Sequence, residues 1–327
     1  MSWLSRQETP QLGSSPVIPT VPDGVLQVCH PHWRGVRASA LAFRDPVLES
    51  ADLSDFIPYA AEIAAAGAHT VVVQGWPPNA ELFARAAHDS GLTVLAVFHS
   101  SPAQHGVDGG EAEAVHRMIE LNNEGVIARV ATVKSGLSGA FAALGHDIVH
   151  ISNRVPEIGT IDAGPSSNGT RVGIFLHPMW RKNVTTQILA AKELGWKPFV
   201  MADPNVSYLS NTDFTVVGEL SREEFLPIQA GMDITLNVTL SECHPMMPME
   251  SYRLGVPCLM SRTSDLFLEH PDLYRLTTVD QADNPTAIAG AAKSLLSNKD
   301  EAVEMANEAL DRMDERSTEA WRAFTQP

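Results

Sequence analysis

An α/β protein of two Rossmann-like parallel-sheet domains facing each other across a cleft is the architecture this sequence predicts. The chain has 327 residues, room for two domains of about 150 residues each. Short runs rich in Val and Ile alternate with helical patterns along its whole length. One stretch rich in Pro, Gly, Ser and Asn, 156–170, interrupts the alternation, which then restarts.

In the first half, strands are expected at "VLQVCH" (25–30), "HTVVVQG", "LTVLAVFHS", "IARVATVK" and "HDIVHISN". Between them "DFIPYAAEIAAAGA", "NAELFARAAHDSG", "EAEAVHRMIELNN" and "LSGAFAALG" carry helical spacing. After the break come strands "RVGIFLH", "KPFVMAD", "DFTVVGE", "DITLNVT" and "VPCLMS". Helices follow at "NVTTQILAAKELG", "SREEFLPIQAG", "PMESYRLG", "NPTAIAGAAKSLLSN" and 300–325. Strands that are apolar on both faces and separated by helices belong to parallel sheets. The division is a proline-rich N-terminal tail (1–23), a first domain (24–155), the linker (156–170), a second domain (171–305) and a terminal helix (306–327) crossing back to the first domain.

Hydrophobic residues make up 44% of the chain, enough for a core in each half. With 23 basic against 39 acidic residues the net charge is −16, which disfavours bulk nucleic acid and anionic membrane surfaces. A local basic patch of Arg34, Arg37 and Arg44 remains open. No apolar run is long enough to span a membrane, and no secretory pattern opens the chain. Cys29, Cys243 and Cys258 lack metal or redox spacing and read as reduced thiols of a cytoplasmic protein.

The most informative segment is 241–257, "SECHPMMPMESYRLGVP". It leaves a strand, crosses a loop and starts a helix near Pro248, a residue suited to a first helical turn. The free N–H groups there suit a diphosphate. Glu242 and Glu250 can accept hydrogen bonds from vicinal hydroxyls. A second segment, "GIFLHPMWRKNVTTQILAA" (173–191), puts Arg181 and Lys182 at a helix start, where the dipole disfavours cations. That conflict argues for an anionic ligand. A third, 216–242, is a strand–Gly–helix unit containing Val217 and Gly218.

The Glu-x7-Glu spacing, with Pro248 before the second glutamate and Gly255-x-Pro257 after it, resembles the donor signature of retaining glycosyltransferases of the GT-B fold, family 4 in particular. The resemblance covers about 25–327 and is strongest over 172–260. It implies that Glu250 binds the nucleotide ribose and Glu242 the donor sugar. Backbone N–H groups near His244, Met246 and Met247 would face sugar and phosphate. Lys182, helped by Arg181, would neutralise the diphosphate, and Val217–Gly218 would line the nucleobase. Two departures stand out: Pro245 where the family has glycine, and His177 where it has arginine. In the first domain, "HPHWRGVRAS" (30–39) would supply a loop around Gly35 closing over the donor, or else a plain surface turn. His99 would sit near the reacting sugar, or else pack at a strand end. Asn153 reads as structural.

No Asp-x-Asp, Walker A sequence, GxGxxG after the first strand, HExxH or G-x-S-x-G is present. The expectation is therefore transfer of a sugar from a nucleoside diphosphate to a hydroxyl acceptor, without metal or cofactor, and with retention as the family implies. His99, Glu242 and Lys182 are the candidates at the reacting centre. A GT-B-fold sugar-nucleotide epimerase and a non-catalytic sugar-nucleotide-binding protein are the alternatives.

Overall fold

The computed structural model describes residues 16–106, 109–161 and 169–326. They build two six-stranded sheets in which every pairing is parallel.

The first sheet is assembled from β1 (Val25–Cys29), α1 (Arg34–Ala42), β2 (Val47–Glu49), α2 (Ala60–Ala65), β3 (Thr70–Gln74), α3 (Ala80–Asp89), β4 (Thr93–Phe98), α4 (Pro102–His105), α5 (Gly109–Asn123), β5 (Arg129–Thr132), α6 (Leu137–Ala143) and β6 (Ile148–His150). Its strand order is β2-β1-β3-β4-β5-β6. β1 and β3 are buried along their whole length, as strands covered by helices on both faces must be.

The second sheet uses β7 (Val172–Ile174), α7 (Val184–Glu193), β8 (Phe199–Val200), β9 (Thr215–Val216), α8 (Arg222–Ala230), β10 (Ile234–Asn237), α9 (Met246–Arg253), β11 (Cys258–Ser261), α10 (Pro271–Thr277), β12 (Thr278–Val279) and α11 (Pro285–Ser297). The order is β12-β11-β10-β7-β8-β9. β7 leads to β8 and β9 on one side and to β10, β11 and β12 on the other. The order therefore reverses between β7 and β10, and the loops after these two strands flank the crevice where such sheets take ligands. In the first sheet the corresponding reversal lies between β1 and β3.

Several local expectations are corrected. Residues 30–33 turn, but Gly35 does not lie in a loop: a helix begins at Arg34. Trp33 at its N-cap makes no side-chain cap, so the usual start signal is missing. The helix expected over 55–68 is a 3-10 segment, Leu53–Tyr59 containing Pro58, followed by α2. α10 and β12 lie where no element is expected, although Pro271 at a first helical position marks the start of α10. Of the N-terminal tail, 16–23 is described, and Val21 is buried in the first core with its N–H donated to Ala66 O. The rest of the tail and 162–168 of the linker lie outside the described residues.

The terminal helix α12 is continuous from Lys299 to Thr325. Ala306, Ala309 and Leu310 pack with Met249 and Tyr252 of the second domain. Trp321 and Phe324 then pack with Val25, Val72 and Leu95 of the first sheet. Trp321 stacks on Phe43 with ring centres 4.2 Å apart and donates its Nε1–H to Asp45 Oδ2 at 2.8 Å. No helix among the described residues is long and apolar enough to cross a membrane.

Candidate functional site

The loop after β7 turns twice before its helix starts. Trp180–Lys182 form one 3-10 turn, and Asn183 then takes a left-handed conformation (φ 54°) that asparagine tolerates. The buried Asn183 side chain donates to Val238 O at 3.1 Å. Gln187 bridges the same two loops: its Nε2 donates to Lys182 O at 2.9 Å, and its Oε1 accepts from Val238 N at 3.0 Å. Leu240 N donates to Arg181 O at 2.8 Å. This lacing brings Lys182 Nζ to 2.6 Å from Glu242 Oε2, so two residues expected to bind separate parts of a ligand form one buried ion pair. Burial alone would raise the Glu242 pKa, but the charge and hydrogen bond of Lys182, with help from Arg181, hold it below the ordinary carboxylate value. His177, the departure from the family arginine, is exposed.

After Glu242 the chain enters α9, which carries Glu250 and starts two residues earlier than expected. Met246 is the first helical residue, Pro245 is the N-cap, and Pro248 falls at the third helical position. Prolines at the cap and at that third position carry no N–H. The donors left free at the helix end are therefore the amides of Met246 and Met247. Glu250, one turn on, is buried and paired with Arg222: Nε donates to Oε1 at 3.2 Å and Nη2 lies 3.1 Å from the same oxygen. Burial nonetheless leaves the Glu250 carboxyl above its usual range.

The sequence also carries a signal at Arg222, a residue outside the motifs above. Ser221 and Glu224 form a reciprocal capping box, which puts Arg222 at the first position of α8, where the dipole disfavours a cation. It is the same conflict that marked Arg181 and Lys182. Just upstream, Gly218 has φ 81°, a conformation that favours glycine, and its N–H donates to Met201 O at 3.2 Å. Val217 N donates to Val200 O at 2.9 Å, so the turn continues the β8–β9 pairing.

The first domain meets this apparatus directly. Ser101 Oγ is 2.8 Å from Ser241 Oγ, joining the loop after His99 to the loop of Glu242. Lys134 Nζ donates to Thr263 O at 2.8 Å, and Ser135 N to Asp265 Oδ2 at 2.8 Å. Asn153 accepts from Ser39 Oγ at 2.9 Å and donates to His244 O at 2.8 Å, so it fastens the start of the α9 loop. A Cβ added to Gly35 would lie 3.7 Å from Met246 Cγ, so α1 begins against α9. Arg37 and Arg44 do not form a basic patch: they pair with Glu49 and Glu157.

Two histidines face each other's fields at this junction. His99 is pushed down to about 3 by burial first and by His244 second, so it is neutral near pH 7. His244 is buried and its pKa is also lowered, mainly by burial, and its Nδ1 has no hydrogen-bond partner. The site thus offers Lys182 and two free helix amides to an anion, two buried carboxylates to hydroxyls, and neutral imidazoles from either side.

No protein-family model and no curated protein matches the chain. Among solved structures it is similar to HepE from Anabaena, a structure holding UDP, with a TM-score of 0.62 at 12% identity over 91% of this chain and 99% of that one. A glycosyltransferase from Rickettsia africae aligns with a TM-score of 0.59 at 12% identity over 92% of this chain and 98% of that one. TarM aligns with a TM-score of 0.59 at 14% identity over 79% of this chain, which spans 55% of TarM. The fold is GT-B: two six-stranded parallel sheets, each flanked by helices.

Proposed function

We propose that the protein is a glycosyltransferase that moves a sugar from a nucleoside diphosphate to a hydroxyl acceptor. The observation that carries this reading is the convergence at the β7/β10 reversal. Lys182, the α9 amides, Glu242 and Glu250 with Arg222 all belong to loops or helices that leave β7 or β10 or flank them. In this reading the diphosphate lies over the Met246 and Met247 amides with Lys182 at its side. Glu250 accepts from the ribose and Glu242 from the sugar. Val217 and Gly218 line the base. Negative charge grows on the diphosphate as the glycosidic bond breaks, and a cation beside a helix N-terminus stabilises it without a metal ion. Retention is part of the proposal through the likeness of the Glu-x7-Glu segment to retaining enzymes. The acceptor approaches from the first domain, past His99.

The test is a thermal-shift screen of nucleoside diphosphates and their sugars, since a ligand that binds only the native state raises stability by RT ln(1 + [L]/Kd). It is followed by an assay of nucleotide release with and without candidate acceptors. Acceptor-dependent release supports the transferase. Release without an acceptor, with an isomerised sugar recovered, would replace it by an epimerase. Tight binding with no turnover across the acceptor panel would leave a sugar-nucleotide-binding protein.

A further inference from the structure

Two buried glutamines and a partly buried histidine cross the first sheet in single file. Gln27 of β1 is fully buried, and its Nε2 donates to Ala40 O of α1 at 2.8 Å. Gln74 of β3 is buried too, and its Nε2 donates to Gln27 Oε1 at 2.7 Å. Gln74 Oε1 lies 2.8 Å from His99 Nε2, just past the end of β4. The register explains the reach. Gln74 is opposite Cys29, two residues beyond Gln27, and Val97 is opposite Gln74, two residues before His99. Residues two apart share a face of the sheet, so each step moves one strand across and two residues toward the crevice.

One end of this chain has a fixed polarity. Ala40 O can only accept, so Gln27 must turn its NH2 toward it and its oxygen toward Gln74. Gln74 must then give its NH2 to Gln27 and its oxygen to His99. An oxygen at that place demands a proton on His99 Nε2. Reversing the chain would set Gln27 Oε1 against Ala40 O, two acceptors buried face to face. Apolar side chains at 27 and 74 would fill the sheet without this polar network, but would leave the imidazole free to turn and to take either tautomer.

We propose that Gln27 and Gln74 are positioning residues that hold His99 as the Nε2–H tautomer, presenting its Nδ1 lone pair to a hydroxyl of the sugar or acceptor. The part about the hydroxyl rests on the transferase reading; the tautomer does not. His99 Nδ1 makes no hydrogen bond among the described residues, and the ring is only partly buried. Being neutral, the ring meets ligands there as an acceptor. It favours a hydroxyl donor and opposes a phosphate or carboxylate oxygen at that point.

The experiment is a long-range 1H–15N correlation spectrum of the ligand-free protein labelled at histidine, with the His99 signals identified by their loss in His99→Ala. The expected result is one tautomer near neutral pH, with a pyrrole-like Nε2 and a pyridine-like Nδ1. A proton on Nδ1, or two tautomers in comparable amounts, would overturn the proposal. Gln27→Met extends the test, because Gln27 is separated from His99 by Gln74. Its loss frees the Gln74 amide to flip, so His99 should become a mixture of tautomers. The kcat should fall on the order of tenfold, as for other supporting partners behind a functional imidazole, with little change in nucleotide affinity. A folded Gln27→Met with the wild-type tautomer would also overturn it, and if that variant does not fold the wild-type spectrum decides alone. Absence of any sugar transfer would sink the transferase reading while leaving the tautomer result standing.

Discussion

Lys182 and Glu242, sixty positions apart in the chain, form an ion pair of 2.6 Å at the reversal point of the second sheet. The carboxylate side chain is 5% exposed and the lysine 17%, so neither charge is well hydrated. Removing one partner of such a pair strands the other, at a cost of about 3 kcal/mol where the lysine keeps some water. Glu242→Gln should therefore lower the thermal midpoint at pH 7. The sign of its pH dependence follows from the lowered pKa of Glu242 in the folded state. Its contribution is complete above the unfolded value near 4.5 and is lost as pH falls through the lower folded value. The gap between wild type and Glu242→Gln should narrow on acidification below that range. A gap that is constant with pH would mean that the charge contributes nothing.

Lys182→Met should weaken a nucleoside diphosphate more than the nucleoside. A charge-assisted contact to phosphate is worth about 1.5–3 kcal/mol, so the diphosphate should lose on the order of tenfold or more. Calorimetric titration of both ligands into both proteins measures it. Equal losses would assign the lysine to the fold alone.

Binding of the nucleoside diphosphate should not depend on a divalent ion. The positive charge that would face the phosphates comes from Lys182 and Arg181 and from the dipole of the α9 N-terminus, all from the chain itself. Titration with and without EDTA should give the same dissociation constant, whereas abolition of binding by the chelator would overturn metal independence.

Much of this candidate site is legible in the sequence, and what is not has physical reasons. The sheets are readable because strands covered on both faces are written as unbroken Val/Ile runs, as in Val71–Val73. Glu242, Glu250 and Lys182 are readable because spacing and a helix-dipole conflict are local. The pairing of Lys182 with Glu242 is not, since it depends on β7 and β10 lying side by side, which no local pattern states. α1 was hidden by Gly35 and an uncapped Trp33, and β2 by its three-residue length. Two prolines, Pro245 and Pro248, both suit a helix start, and only the backbone separates them. Gln27 and Gln74 look like lapses in apolar strands until the register lines them up with His99.

The terminal helix should brace both domains. Trp321 is buried on the first sheet, and its N–H is the hydrogen-bond partner of Asp45, whose pKa burial raises. Trp321→Ala removes the ring from the cluster with Val25, Val72 and Leu95 and leaves Asp45 unpaired. Large-to-small changes of this kind cost about 3–5 kcal/mol. The denaturant midpoint should fall, and the unfolding of the two domains should separate into two transitions. An unchanged single transition would show that the helix end is not a brace.

The sharpest expectation is a division of labour between Glu250 and His99. Glu250 lies in the second domain, in α9, buried beside Arg222. Its carboxylate can accept two ribose hydroxyls, so Glu250→Ala and Glu250→Gln should both weaken even a plain nucleoside diphosphate. The glutamine variant matters because alanine also strands the Arg222 charge. His99 belongs to the first domain, and its neighbour Ser101 contacts Ser241 of the second domain, whose His244 helps lower the His99 pKa. On the proposed reading it would take no part in holding the nucleotide. His99→Ala should leave nucleotide affinity nearly intact while lowering kcat about 10²-fold, the low end for a positioned polar group. Thermal midpoints must be matched first, since the ring also caps the buried glutamine chain. If His99→Ala turns over normally, or loses nucleotide as the Glu250 variants do, the roles are not divided this way. A kcat loss with unchanged affinity, set beside an affinity loss at Glu250, would place donor binding in one domain and turnover in the other.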